Sequence, residues 1–191
     1  MNVFIRRKQL IAIILLAALT GADNLLYGAH AWADRLSLAG VELQVAERYA
    51  EVSRMTPVEL ANRIKAGEPI LILDAREVEE FAVSRLPGAE RVDPGIWHSS
   101  FIKRYGARVR GRTVVFYCSV GVRSSKLAEY VQDAVVKAGA TSVYNLQGGI
   151  FAWHNQKRAL VNSAGRTDFV HPYDARWGQL VEQQSQTRYE P

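Results

Sequence analysis

The stretch of residues 113–125, TVVFYCSVGVRSS, constrains the fold of this chain more than any other part of it. Its first five residues are β-branched or aromatic and predict a short buried strand. From Ser124 onward, apolar residues recur at helical spacing and predict a helix that stops at Gly139. The loop Cys118–Arg123 connects the two. A strand, a short loop and a helix in this order are typical of an α/β domain with a parallel sheet.

The only cysteine of the chain, Cys118, lies where the predicted strand ends. A loop that joins a strand to a helix N-terminus directs backbone N–H groups at a common point, and this favours an anion. A thiolate at this position is stabilised in the same way, and the charge of Arg123 adds to the effect. The pattern therefore predicts a nucleophilic cysteine. An inert core cysteine and a thiol paired between two chains are the alternatives.

Residues 1–33 have the pattern of an export signal. Three basic residues at 6–8 precede an apolar run at 10–19, and Ala31-Trp32-Ala33 fits a cleavage site. The run is shorter than the roughly 20 residues that span a bilayer. We predict a signal peptide, with an uncleaved N-terminal membrane anchor as the alternative. Either one implies an exported protein, periplasmic or otherwise extracytoplasmic.

Composition limits the classes of partner. Hydrophobic residues make up 48% of the chain and charged residues 23%, as in globular proteins. The net charge of +5 is spread along the chain, so we expect no nucleic-acid partner, and membrane contact only if the leader is retained. The basic stretch Lys103–Arg112 is interpreted as a solvated loop, with attraction of anions toward a nearby site as the alternative. His98, His154 and His171 lack ligand spacing, so no metal and no cofactor are expected.

Strand and helix patterns alternate over residues 52–156, which we predict to be one α/β domain. Residues 70–73 form a continuous apolar run, typical of a strand covered on both faces. Segment 34–51 is interpreted as a linker or loosely docked arm, and segment 157–191 as a C-terminal extension. Aromatic residues are expected to pack this extension back onto the domain: Phe169, Tyr173 and Trp177. Four other aromatic residues are expected in the core, with one of them at the rim of the pocket as the alternative: Trp97, Phe101, Phe151 and Trp153.

Four stretches resemble the signature motifs of one family, in the same order and spacing. They are Leu73-Asp74-Ala75-Arg76 with Glu80-Phe81, Leu86-Pro87-Gly88-Ala89, Tyr117–Ser124, and Asn145–Trp153. On these motifs, residues 52–156 are similar to the rhodanese family of single-domain sulfurtransferases. Ser84-Arg85 depart from the Gly-His that commonly precedes the family's turn, outside the loop. The resemblance implies a three-layer α/β fold, with a central parallel sheet flanked by helices.

The resemblance also implies a chemistry. Cys118 would take a sulfane sulfur from a small anionic donor such as thiosulfate, hold it as a persulfide, and pass it to a thiophilic acceptor. That acceptor is cyanide in an assay, and a thiol or a protein sulfur acceptor in the cell. Arg123 is expected to favour the thiolate and to steer the donor. The loop residues expected to hold the terminal sulfur are Ser119, Val120, Gly121, Val122 and Ser124. Asp74 and Arg76 are expected to brace neighbouring loops.

Loop length separates two chemistries. Four residues lie between Cys118 and Arg123, whereas phosphatases of related fold have five, which widens the loop for a tetrahedral phosphate. The shorter loop favours one sulfur atom. A single cysteine also favours a one-cysteine persulfide cycle over a dithiol cycle. The alternative from another class is a rhodanese-like module of the cell envelope that carries sulfur or docks proteins without turnover.

Overall fold

A parallel sheet of five strands forms the centre of the molecule, in the order β1-β5-β4-β2-β3. The structure is a computed structural model, and it describes residues 37–191. The strands are β1 (Arg54–Met55), β2 (Ile70–Asp74), β3 (Glu90–Arg91), β4 (Thr113–Tyr117) and β5 (Ser142–Leu146). Every residue of β4 is buried, because helices cover the sheet on both faces. The predicted α/β architecture with a central parallel sheet flanked by helices is confirmed.

Six helices accompany the sheet within the described range. They are α1 (Leu38–Arg48), α2 (Pro57–Lys65), α3 (Val78–Val83), α4 (His98–Tyr105), α5 (Val122–Lys137) and α6 (Gly149–Asn155). Helix α2 begins as its sequence predicts, because the Thr56 side chain accepts a hydrogen bond from the Glu59 backbone N–H and Pro57 occupies the first turn. Helix α5 begins at Val122, two residues before the predicted start, so the loop after β4 is correspondingly shorter.

The segment interpreted as a loosely docked arm is part of the packed domain. Residues 38–48 form helix α1, and Val41, Val45 and Tyr49 lie in the hydrophobic core. The sequence of this segment has only a mild helical pattern. The helix is stabilised because its apolar face packs against the rest of the domain. Helix α1 therefore corrects the prediction of a linker.

The C-terminal extension also packs against the domain. It contains an antiparallel hairpin, β6 (Leu160–Asn162) with β7 (Gly165–Thr167), and short 3₁₀ helices at Trp177–Leu180 and Gln184–Gln186. Its apolar side chains join the core: Leu160, Val170 and Val181 are almost fully buried.

Trp97 corrects the prediction that four aromatic residues lie in the core. Phe101, Phe151 and Trp153 are buried, whereas Trp97 is 77% exposed. It is the N-cap residue of α4, so its side chain precedes the helical face that packs inward. The predicted signal peptide or anchor at residues 1–33 lies outside the described residues. Between residues 37 and 191, no helix has the length and apolarity needed to cross a membrane.

Candidate active site

The register of the sheet brings the predicted site residues to one edge. Strand β4 lies between β2 and β5, and Asp74 of β2 is level with Tyr117 of β4. Cys118 directly follows Tyr117, so it lies beyond the carboxyl end of a central strand. In parallel α/β sheets this edge is where ligands bind.

The thiol of Cys118 lies inside the loop that follows β4. Cys118 is 1% exposed, and its Sγ accepts a hydrogen bond from the backbone N–H of Gly121 at 3.2 Å. Gly121 has φ of +98°, a conformation that other residues adopt at a cost, and a Cβ there would lie 3.1 Å from the Asn145 side-chain nitrogen. A glycine is therefore needed for the loop to turn an N–H toward the sulfur.

The N-terminus of α6 holds the other side of the loop. The carbonyl oxygens of Cys118 and Ser119 accept hydrogen bonds from the backbone N–H groups of Ile150 (2.9 Å) and Phe151 (3.1 Å). The chain passes so close that a Cβ on Gly149 would lie 2.3 Å from the Cys118 oxygen. Two carbonyls of the loop are thus bound by the helix instead of facing the thiol.

Arg123 is paired with a buried carboxylate, Glu80 of α3. Its Nη1 and Nη2 donate to the two Glu80 oxygens at 2.7 and 2.8 Å. Ser119 Oγ donates to the same carboxylate at 2.8 Å and accepts from Arg123 Nη2 at 3.1 Å. The Glu80 side chain is 3% exposed and that of Arg123 24%. Glu80 therefore fixes the two ends of the loop to one point on α3.

This pairing shifts both ionisation equilibria toward the charged forms. Burial alone raises the pKa of Glu80, but the hydrogen bonds and charge of Arg123 outweigh it, so the pKa of the carboxyl lies below its ordinary value. Burial lowers the pKa of Arg123, and the Glu80 hydrogen bond reverses the shift, so that pKa is raised. The pair is ionised, and much of the charge of Arg123 is balanced by Glu80.

The remaining residues of the predicted motif, up to Ser124, also lie near the thiol. Ser124 Oγ donates to Asn145 Oδ1 at 2.6 Å, which joins the start of α5 to the end of β5. A cavity of about 170 Å³ opens beside the thiol. From the loop it is lined by Cys118, Ser119, Val120, Val122 and Arg123. Two residues of the C-terminal extension, Tyr173 and Trp177, complete its wall.

Asp74 and Arg76 form a buried ion pair next to the loop. Arg76 Nε and Nη2 donate to the Asp74 carboxylate at 2.9 and 2.6 Å, and Nη2 also donates to the Ser84 carbonyl at 2.6 Å. Both side chains are fully buried. Neither lines the cavity beside Cys118, which agrees with a bracing role. That role stays a prediction.

A larger cavity, of about 370 Å³, lies elsewhere on the molecule and contains none of the predicted site residues. It is lined by basic and polar residues near β6 and β7, among them His154, Lys157, Arg158 and Arg166. Size alone does not identify the site here; the position of the chain's one thiol does. From Ser37 to the C-terminus, no cluster of three His, Cys, Asp or Glu side chains is arranged to hold a metal ion.

Sequence reasoning missed five residues of this site. Glu80 was quoted only within a motif, although its place three residues after Glu77 is a capping-box pattern, which the structure contains. Asn145 and Gly149 lie within another motif, which indicates a turn at Gly149 but no contact of either residue with the loop of Cys118. Tyr173 and Trp177 were expected only to pack, because nothing in a single sequence indicates which pocket a distant segment reaches.

Comparison with known proteins bears on the central part of the chain. Residues 56–156 match the family model described as rhodanese-like domain. Over 123 residues the chain is 32% identical to the probable adenylyltransferase/sulfurtransferase MoeZ of Mycobacterium tuberculosis, covering 64% of this chain and 30% of that protein. Over 93 residues it is 33% identical to the tRNA uridine(34) hydroxylase of Burkholderia ambifaria, covering 48% and 31%. The chain thus spans less than a third of either relative.

Among solved structures, the thiosulfate sulfurtransferase of Pseudomonas aeruginosa superposes with a TM-score of 0.52 at 23% identity. The superposition covers 70% of this chain and 24% of that one, and it bears on the fold alone. The family model covers more than half of the chain, and its range contains the loop, Glu80 and the N-terminus of α6. The chain therefore belongs to the rhodanese-like domain family.

Proposed function

We propose that this protein is a sulfurtransferase that moves a sulfane sulfur from a thiosulfate-like donor to a thiophilic acceptor through a persulfide on Cys118. One observation carries the proposal: the chain's only thiol lies in a loop whose Gly121 N–H points at its sulfur, while α6 binds two of the loop carbonyls. Such a loop favours a negative charge on sulfur, either of the thiolate or of the terminal persulfide atom. Membership of the rhodanese-like family supports this chemistry.

The reaction proceeds in two displacements. The Cys118 thiolate attacks the outer sulfur of thiosulfate, a new S–S bond forms, and the old S–S bond breaks with its electron pair leaving on sulfite. The acceptor, a thiolate or cyanide, then attacks the outer persulfide sulfur and releases the Cys118 thiolate. Charge and sulfur balance in each step, and no oxidant or reductant is consumed.

The role that we propose for Arg123 is narrower than the one predicted from the sequence motif, which was to favour the thiolate and to steer the donor. Its guanidinium lines the cavity, but both terminal nitrogens are bound by Glu80. We expect it mainly to position the loop through Glu80 and Ser119, with a reduced electrostatic contribution to donor binding. Loop backbone groups from Ser119 to Ser124 are proposed to hold the transferred sulfur.

Persulfide formation on Cys118 tests the proposal. Purified protein is treated with thiosulfate, and intact mass is recorded with and without added cyanide. We expect a mass increase of one sulfur that cyanide removes, thiocyanate formation at steady state, and neither signal in Cys118→Ser. Loading without turnover would favour the carrier or docking alternative, and absence of both signals from the wild type would refute sulfur transfer.

Export is a separate part of the proposal and rests on the leader pattern at residues 1–33. The N-terminal mass of the protein recovered from the periplasmic fraction of a Gram-negative host tests it. A mature N-terminus close to residue 34 is expected, and an intact leader in the cytoplasm would contradict it.

A further inference from the structure

The C-terminal extension lies outside the matched family region and is attached to the domain near the active site. The Asn155 side chain at the end of α6 bonds to it twice, donating to the Leu180 carbonyl at 2.9 Å and accepting from the Glu182 N–H at 3.0 Å. Arg85 and Val161 exchange backbone hydrogen bonds at 2.8 and 2.9 Å. Together with its buried apolar residues, these bonds fix the extension against the domain.

A structured turn in the extension presents two aromatic side chains to the site. Tyr173 has φ of +68°, and its N–H donates to His171 Nδ1 at 3.0 Å. The Asp174 carboxylate accepts from the Trp177 N–H at 2.8 Å and so binds the first N–H of the 3₁₀ helix Trp177–Leu180. A Cβ on Gly178 would lie 2.8 Å from the Pro172 side chain, which shows how closely this turn is packed.

Both aromatic residues line the cavity that contains Cys118. The guanidinium carbon of Arg123 lies 4.7 Å from the centre of the Tyr173 ring, within the range of a cation–π contact. Tyr173 is 44% exposed and stands at the rim, while Trp177 is partly buried against the core. The extension therefore covers one side of the proposed reaction site.

The cavity is better suited to an organic group than to a small dianion. Among the described residues that line it, Arg123 is the only one with a cationic side chain, and this charge is paired with Glu80 and covered on one face by Tyr173. Three of the other lining residues are apolar or aromatic: Val120, Val122 and Trp177. Its volume, about 170 Å³, compares with the roughly 150 Å³ of an apolar cavity that binds benzene.

We infer that Tyr173 and Trp177 make this site selective for donors whose sulfane sulfur is attached to a ring-sized organic group, such as an aryl thiosulfonate. The inference rests on the proposed function and narrows its donor class. The step keeps the same balance: the Cys118 thiolate attacks the outer sulfur of R–SO₂–S⁻, the S–S bond breaks, and the sulfinate R–SO₂⁻ leaves with the electron pair.

Two donors of equal charge separate the effect of the ring from that of the anion. Benzenethiosulfonate and methanethiosulfonate carry the same reacting group and differ in the organic substituent. We measure kcat/KM for both, and for thiosulfate, in the wild type, Trp177→Ala and Tyr173→Ala. We compare the ratio of kcat/KM for benzenethiosulfonate to kcat/KM for methanethiosulfonate. This ratio is expected to fall about tenfold in Trp177→Ala and severalfold in Tyr173→Ala, mainly because KM for the aryl donor rises. The kcat/KM for thiosulfate is recorded in each variant to show whether Cys118 still turns over.

Trp97→Ala is the matched control, because Trp97 is an exposed tryptophan outside this cavity. It should leave the ratio unchanged. Trp177→Phe retains a ring and should keep most of the preference. If thermal unfolding shows that the alanine variant does not fold, Trp177→Leu, which removes the ring but keeps an apolar side chain, replaces it. An unchanged ratio in folded Tyr173→Ala and in folded Trp177→Ala or Trp177→Leu would overturn the inference while leaving sulfur transfer intact. Failure of all three donors to load Cys118 would instead overturn the proposed function.

Discussion

The carboxylate of Glu80 contacts three parts of the site at once. It accepts hydrogen bonds from Ser119 in the loop, from Arg123 in the first turn of α5 and from the Glu77 backbone N–H at the start of α3. A buried carboxylate is stable only when its oxygens are fully bonded, and here the bonds cross between two elements. The conformation of the loop and the ionisation of Glu80 therefore depend on each other.

We predict that Glu80→Gln slows persulfide formation on Cys118 strongly and lowers the free energy of unfolding only moderately. The amide keeps one acceptor but loses the charge that matches Arg123, so the unfolding free energy should fall by about 1–3 kcal/mol. Persulfide formation on Cys118 should slow by about tenfold, because Arg123 and Ser119 are no longer held. Chemical denaturation and the pre-steady-state rate of loading measure the two effects.

Glu79→Gln is the control, since it removes a neighbouring carboxylate that is exposed. It should change both quantities little. Equal losses in the two variants would indicate a general effect of negative charge on α3, contrary to a specific role of Glu80.

At the scale of elements, the loop depends on how closely α6 approaches it. Gly149 has φ of +57°, and the space where a side chain would begin is occupied by the carbonyl oxygens of Cys118 and Ser119. This contact lets the first N–H groups of α6 bond to the loop. A helix N-terminus binds carbonyl oxygens well, because its N–H groups have no partners within the helix.

We predict that Gly149→Ala displaces the loop and reduces Cys118 loading by more than tenfold. The matched control is Gly67→Ala, since Gly67 has φ of +73° and open space where a Cβ would lie. Gly67→Ala should lower the free energy of unfolding by about 1–2 kcal/mol, because alanine is less stable than glycine in a left-handed conformation, and it should leave the loading of Cys118 unchanged. Thermal unfolding and intact mass after donor treatment check both variants. Similar loading in the two would mean that the loop adapts to the added methyl group.

On the scale of the whole molecule, His171 of the extension is buried close to charged residues of the domain. This residue is buried, its Nδ1 accepts from the Tyr173 N–H, and its ring lies against Tyr189 in an edge arrangement at 5.1 Å. Burial lowers the pKa of His171 below its ordinary value of 6.5. Four nearby charges act on it in opposing directions: Arg76, Glu79, Glu80 and Arg123.

We predict that His171 makes the molecule less stable as the pH falls below about 6.5. The pKa of His171 is lower in the folded protein than in the unfolded chain, so the unfolded chain binds the proton first as the pH falls. The contribution of His171 to the free energy of unfolding is therefore fully present above the unfolded pKa and is lost as the pH falls toward the folded pKa. His171→Asn offers an acceptor to Tyr173 that does not titrate. The fall in Tm between pH 8 and pH 5 should be smaller in this variant than in the wild type.

His98→Asn is the control for that experiment, because His98 is exposed on α4. It should follow the pH dependence of the wild type. Parallel curves for the wild type and His171→Asn would show that the docking of the extension does not depend on this histidine.

Local patterns in the sequence determined the central strands, the start of α2 and the position of the proposed nucleophile. The Thr56 cap, the apolar strand of residues 113–117 and the Cys118–Arg123 loop are each specified by residues close together in the chain, so one sequence suffices to predict them. Only the tertiary structure decided which distant residues complete the site. Glu80 and Gly149 contact the loop that holds Cys118, and Tyr173 and Trp177 line the cavity beside it, because the sheet order and the docking of the extension bring them there. Such contacts depend on packing between elements, which spacing along a single chain does not encode.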